Sequence, residues 1–110
     1  MADMTEEELV STCFEIIGYV GAAKSSYIEA INKAKDHDFE AAQKMIEEGN
    51  ENYGKGHQTH TTMLQQDAAG EKKATFALIL IHAEDQMMSA ETFRILAQDF
   101  IDVYKQIDEK

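Results

Sequence analysis

No proline occurs anywhere in the 110 residues, and that absence limits the fold more than any residue that is present. Chains of many short strands need frequent turns, and proline pre-sets the backbone at many of them. A chain with few turns can dispense with it, so long helices with few connections are expected. The length, with 44% apolar residues, suits one small domain with one core and is too short for two.

Leu9, Cys13, Ile16, Val20, Ala23, Tyr27, Ala30 and Ala34 recur at the three-then-four spacing that lays one stripe along a helix. Thr5, followed by Glu6, Glu7 and Glu8, is a start signal: its oxygen can accept from a free N–H of the first turn while Glu8 reaches back. Lys35, Asp36, His37 and Asp38 interrupt the stripe, which puts His37 in a solvated turn and Asp38 at the cap of a second helix. So short a connection makes the second helix antiparallel to the first. Phe39, Ala42, Ile46, Gly49, Tyr53, Gly56, His60 and Met63 then follow a heptad seam. Each glycine inside a helix costs about 1 kcal/mol against alanine, so Gly49 and Gly56 on that seam predict close approach of a neighbouring backbone. Gly70 is the stop, Glu71 to Lys73 a charged connection, and Ala74 to about Ile107 a third helix. The expectation is an all-α single domain over residues 1–110. It is an antiparallel up-down-up three-helix bundle with helices over roughly residues 5–35, 38–69 and 74–107.

The third helix has one apolar face too many. Phe76, Ala77, Leu78, Ile79, Leu80 and Ile81 cover nearly its whole circumference, whereas a surface helix of a lone bundle needs one apolar face. Parallel bundles joined about a symmetry axis through this helix would bury the second face, so a homo-oligomer is expected. That face continues as Leu78, His82, Asp85, Ser89, Thr92, Leu96, Asp99 and Val103. Copies of Asp85 meeting at an axis would repel unless protons or a cation neutralised them. A hard divalent ion such as Mg²⁺, held by carboxylates and waters, suits three converging copies; a lone chain would leave Asp85 in solvent. His82, beside that carboxylate, has a ring nitrogen competent as a nucleophile toward phosphoryl groups, and a histidine ending an apolar run also serves as a plain interface residue.

Charge excludes other roles. Ten Lys plus Arg against 21 Asp plus Glu leave −11, a surface that repels a phosphate backbone, so no nucleic acid is expected as partner. One cysteine, Cys13, cannot form an internal disulfide, no apolar run approaches a membrane span, and the acidic start lacks a secretory signal's positive end. A cytoplasmic location is expected.

Taken together, Leu80, Ile81, His82, Ala83, Glu84, Asp85, Gln86, Met87 and Met88 resemble the phosphorylation motif of the lactose/cellobiose-type IIA components of the bacterial phosphoenolpyruvate-dependent sugar phosphotransferase system. That motif is an apolar run followed by His-Ala-Gln-Asp-His-Leu-Met. Glu84 stands for its glutamine, Gln86 for its second histidine and Met87 for its leucine, while His82, Ala83, Asp85 and Met88 match. His57, Gln58, Thr61, Leu64, Gln66, Ala68 and Gly70, and Gly21 through Ala30 with Asp38 and Phe39, extend the likeness over most of the chain. The resemblance implies a three-helix bundle assembled as a parallel homotrimer. It implies that His82 accepts a phosphoryl group from the histidine-containing phosphocarrier protein and passes it to a cysteine of a sugar-specific IIB component, the membrane IIC component being reached only indirectly. It also implies that Asp85 gathers around a divalent cation on the trimer axis. The group orienting the ring of His82 stays open among a backbone carbonyl, His60, Gln86 and Glu84, the side chains coming from a neighbouring subunit. The sugar lies outside this chain, which meets only phosphate.

His57 and His60 have the i, i+3 spacing of metal ligands, but His60 sits on the buried seam and no acid on that helix completes a site. Met45, Met63, Met87 and Met88 are expected as core filler. Two further classes remain: a histidine phosphotransfer domain of a two-component relay, against which stand Glu84, Asp85 and Gln86 where a lysine and a small residue are usual, and a non-catalytic oligomeric helical adaptor.

Overall fold

In the computed structural model, which describes residues 2–74 and 77–110, Thr5 opens the first helix as its side chain dictates. Its Oγ1 accepts the Glu8 N–H at 3.1 Å, and the glutamates of the first turn complement the helix dipole. The elements in order are β1 (Ala2–Asp3), α1 (Glu6–Lys35), α2 (Phe39–Ala68), β2 (Lys72–Lys73) and α3 (Leu78–Asp108), an all-α chain with one two-residue ladder, 61 × 20 × 18 Å in extent. Asp38 Oδ1 accepts the Ala41 N–H at 3.1 Å and caps α2.

Both α1 and α2 end in a left-handed residue that turns the chain and satisfies the last carbonyls. After α2 it is Gly70, φ 72°, with Gly70 N–H on the Asp67 carbonyl and Glu71 N–H on that of Gln66. After α1 it is His37, φ 63°, with His37 N–H on Ala34 and Asp38 N–H on Lys33. His37 is exposed as expected, yet not merely solvated: its Nδ1 lies 2.9 Å from Asp108 Oδ1 and its ring meets Phe39 edge-on. The α1–α2 turn is thereby fastened to the end of α3.

The buried residues of α1 are the eight of its stripe, and those of α2 are its seam from Ala42 to Met63; Phe39 is half-buried. Contacts between α1 and α2 run in opposite order: Glu15 meets Thr59, Val20 meets Gly56 and Tyr27 meets Gly49. Tyr27, fully buried, donates its hydroxyl to Asn50 Oδ1 at 2.8 Å; burial pushes its pKa up to about 12 against the opposing charge of Arg94. A methyl on Gly49 would lie 2.5 Å from the Tyr27 ring, and one on Gly56 would lie 2.8 Å from Val20 Cγ1. The seam glycines therefore admit side chains of α1. Gly49→Ala is expected to destabilise the fold by about 1–3 kcal/mol, opposite to the gain that alanine brings at an open helical glycine; the melting midpoint checks it.

The third helix begins at Leu78, not at Ala74. Residues 72 and 73 are drawn into a parallel pairing with 2 and 3, and Ala77 is extended, φ −153° and ψ 152°, so among the described residues the helix starts only at Leu78. Phe76, counted in the apolar run, lies outside the described residues. The ladder is clasped by Lys72 Nζ, 2.7 Å from Glu8 Oε2. The hydrogen bond from Lys72, helped by Thr5, holds the Glu8 carboxyl below its ordinary 4.5. A carboxyl depressed on folding adds stability above its unfolded pKa and loses it as the pH falls through the folded value. The clasp is thus expected to hold at neutral pH and open below about pH 4.5, with Lys72→Ala moving Glu8 back up; NMR titration of the Glu8 carboxyl reads both.

Toward α1 and α2, α3 buries only Ala83, Ala90, Ala97 and Ile101. Its large apolar residues divide: Ile79, Leu80, Met87, Phe93 and Tyr104 are partly buried against the core, whereas Leu78 is 81% exposed, Met88 56%, Ile95 53% and Leu96 44%, with Phe100, Val103 and Ile107 similarly open. Met88 is therefore not core filler, unlike buried Met63 and the partly buried Met45 and Met87. Among the described residues, no helix is long and apolar enough to cross a membrane.

Candidate functional site

His82 stands in the second turn of α3, on its outward side, and is exposed. Leu78 precedes it by one turn and Asp85 follows it by one, both exposed; Thr92, Leu96, Asp99 and Val103 carry the same open stripe onward, with Ser89 half-buried. Ala83, next in sequence, is fully buried, so the helix turns its small residue to the core and its imidazole to solvent.

Glu84 faces the other way. Its Oε2 lies 2.8 Å from His60 Nε2 on α2. His60, 8% exposed, is the one buried polar or charged residue among those described. Of the expected supporting residues, His60 and Glu84 are therefore brought together, but with each other: among the described residues no side-chain hydrogen bond reaches His82. Gln86 is half-buried one turn past His82. The pairing was readable in part. His60 sits on the α2 seam and Glu84 directly follows a core alanine, so both lie where the two helices meet; the acid that pairs with the seam histidine comes from the facing helix.

Asp85 offers a hard oxygen ligand to solvent. Among the described residues no group of three or more His, Cys, Asp or Glu could hold a metal ion. Cys13 is fully buried, and burial, with the charge of Glu84 second, pushes its thiol up, away from nucleophilic use. His57 is exposed. It lines a cleft of about 310 Å³ with Asn50, Tyr53, Gly54, Glu91 and Arg94, where the guanidinium of Arg94 lies 5.3 Å from the Tyr53 ring centre.

An exposed, helix-borne imidazole beside a carboxylate puts the chain in the class of small histidine-bearing three-helix bundles. Comparison with known proteins is more specific. The sequence matches the family described as PTS system, lactose/cellobiose specific IIA subunit, over residues 11–105. It is 36% identical to the lactose-specific EIIA component of Staphylococcus epidermidis, over 94% of this chain and 98% of that protein. It is also 36% identical to the lichenan-specific phosphotransferase enzyme IIA component of Bacillus subtilis, over 94% of each. The crystal structure of the cellobiose-specific enzyme IIA from Bacillus anthracis superposes with a TM-score of 0.89 at 34% identity, covering 97% of this chain and 95% of that one. The chain belongs to the lactose/cellobiose-specific IIA family of the sugar phosphotransferase system.

Proposed function

We propose that His82 is a phosphoryl carrier: it is loaded by the phosphorylated histidine-containing phosphocarrier protein and unloaded onto a cysteine of a cognate IIB component during uptake of a β-linked sugar through a membrane IIC component. The observation that carries this reading is the exposure of His82 in the family's motif. In loading, a lone pair of the neutral His82 imidazole attacks phosphorus; the new P–N bond forms as the donor's P–N bond breaks, and the donor imidazole leaves with that electron pair. In unloading, a cysteine thiolate attacks, the P–S bond forms, and His82 takes back its pair. Such transfers pass through a loose transition state, so the protein's part is positioning and charge rather than covalent work. The neighbourhood fits: Leu78, Ile81 and Met88 give a partner apolar contact around the ring, and the chain's formal charge of −11 favours a basic docking surface.

The open apolar stripe of α3 supports a parallel homotrimer of up-down-up bundles with α3 at the axis. There the copies of Asp85 would supply three oxygen ligands to a divalent cation such as Mg²⁺, which would neutralise their repulsion. The relatives carry lactose, lichenan and cellobiose in their names; all are β-linked. A cytoplasmic site of action follows from the soluble donor. The test is incubation with labelled phosphoenolpyruvate, enzyme I and the phosphocarrier: the chain takes up one acid-labile, base-stable phosphoryl group, and a wild-type chain that stays unlabelled overturns the proposal.

A further inference from the structure

We infer that the hydrogen bond between His60 and Glu84 is a positioning device that fixes the rotation of α3 about its own axis and thereby sets the direction in which His82 is presented. The inference rests on the phosphoryl-carrier reading of His82. Glu84 follows His82 by two residues, which in an α-helix is about 200° around the axis. A carboxylate held against α2 therefore turns the imidazole to the opposite side, into solvent. The packing at this end of α3 is apolar and undirected: Ala83 and Ala90 are fully buried, and Ile79, Leu80 and Met87 pack partly buried against the same cluster, so a polar contact of fixed geometry adds a direction that burial by itself does not supply.

Directional contacts between α3 and α2 are few; beside the hydrogen bonds there is the Arg94 guanidinium over the Tyr53 ring. Among the described residues, only two side-chain hydrogen bonds join α3 to α2. One is His60 to Glu84 at 2.8 Å; the other, Gln43 to Gln98 at 3.4 Å, is about 21 Å further along the helix. The near one is also the stronger by kind, since its acceptor is a carboxylate and its donor a buried ring. His60 belongs to the seam of α2, fixed between Gly56 and Met63, and so is a firm reference point. Neither residue touches His82, and the two act through the helix backbone.

The test compares two phosphoryl donors. The phosphorylated phosphocarrier must meet the ring from one direction, whereas phosphoramidate, a small donor, can reach an exposed imidazole from many. Glu84→Ala is expected to lower the maximal single-turnover rate from the protein donor by roughly tenfold to a hundredfold, the size of effect that an ångström of misplacement produces. Its rate with phosphoramidate should stay within about twofold, because that reaction does not depend on orientation. Glu84→Gln, whose amide oxygen still accepts from His60, should rescue the protein-donor rate. His60→Leu, which keeps the seam filled but removes the donor, should reproduce Glu84→Ala and serves if that variant fails to fold. Equal maximal rates for wild type, Glu84→Ala and His60→Leu with the phosphocarrier overturn the positioning role while leaving His82 as the carrier. Parallel loss with both donors overturns it in favour of a direct effect on the ring. A wild type that neither donor labels overturns this inference and the carrier reading together.

Discussion

His82→Gln is expected to abolish the proposed loading from the phosphorylated phosphocarrier while all three helices stay folded. The ring is exposed and no side-chain hydrogen bond holds it among the described residues, so its loss should change stability by no more than about 0.5 kcal/mol. The chemical loss is of another order. Glutamine matches much of the ring's size and polarity but has no lone pair able to form a P–N bond, and removing a nucleophile outright typically costs at least about a thousandfold. Labelled phosphate measured against a melting curve separates the two effects. Label persisting in the variant would transfer the role to His37, His57 or His60. Among these, His60 is enclosed and bonded to Glu84, and His37 is paired with Asp108.

Leu96→Glu, the second large effect, is expected to break the assembly without unfolding the protomer. Leu96 is 44% exposed in the single chain, so a charge there is harmless to the bundle; at a three-fold axis it would bring like charges together in a desolvated place, at a cost of several kcal/mol. Sedimentation should show trimer for wild type and monomer for the variant at micromolar concentration. Asp85→Leu should go the other way, keeping or tightening the trimer by exchanging converging carboxylates for apolar contact. A wild type that sediments as a monomer would remove the proposed interface and the cation site with it.

Much of this was legible from residue spacing, and the reasons are particular. The stripes of the first two helices are buried on α1 and α2 because each helix has one partner-facing side and the period of 3.6 leaves little freedom. Thr5, Asp38 and Gly70 act where they do because their local hydrogen bonds need nothing from the rest of the chain. What spacing could not give was tertiary. The start of α3 was displaced to Leu78 by a pairing between residues 2–3 and 72–73, a contact that no local pattern announces. His37 adopts a left-handed backbone, ordinarily a glycine's place, while its ring bonds a residue near the far end of the sequence. The inner side of α3 was obscured because its fully buried residues are mostly alanines and its large apolar ones are split between the core and the open side. At the site, the motif pointed to His82 and Asp85; that Glu84 turns away from them to His60 required the facing helix.

Two polar clasps sit at opposite tips of the rod: the ion pair of Glu8 with Lys72 where α1 begins, and the contact of His37 with Asp108 where α1 gives way to α2. The waist between them is held by enclosed side chains such as Ile16, Val20 and Tyr27. Ionic strength weakens exposed ion pairs and leaves apolar burial nearly untouched. Added salt would therefore loosen the molecule at the Glu8–Lys72 tip, and amide exchange would quicken there first while the middle turns of α1 keep their protons until the whole chain opens.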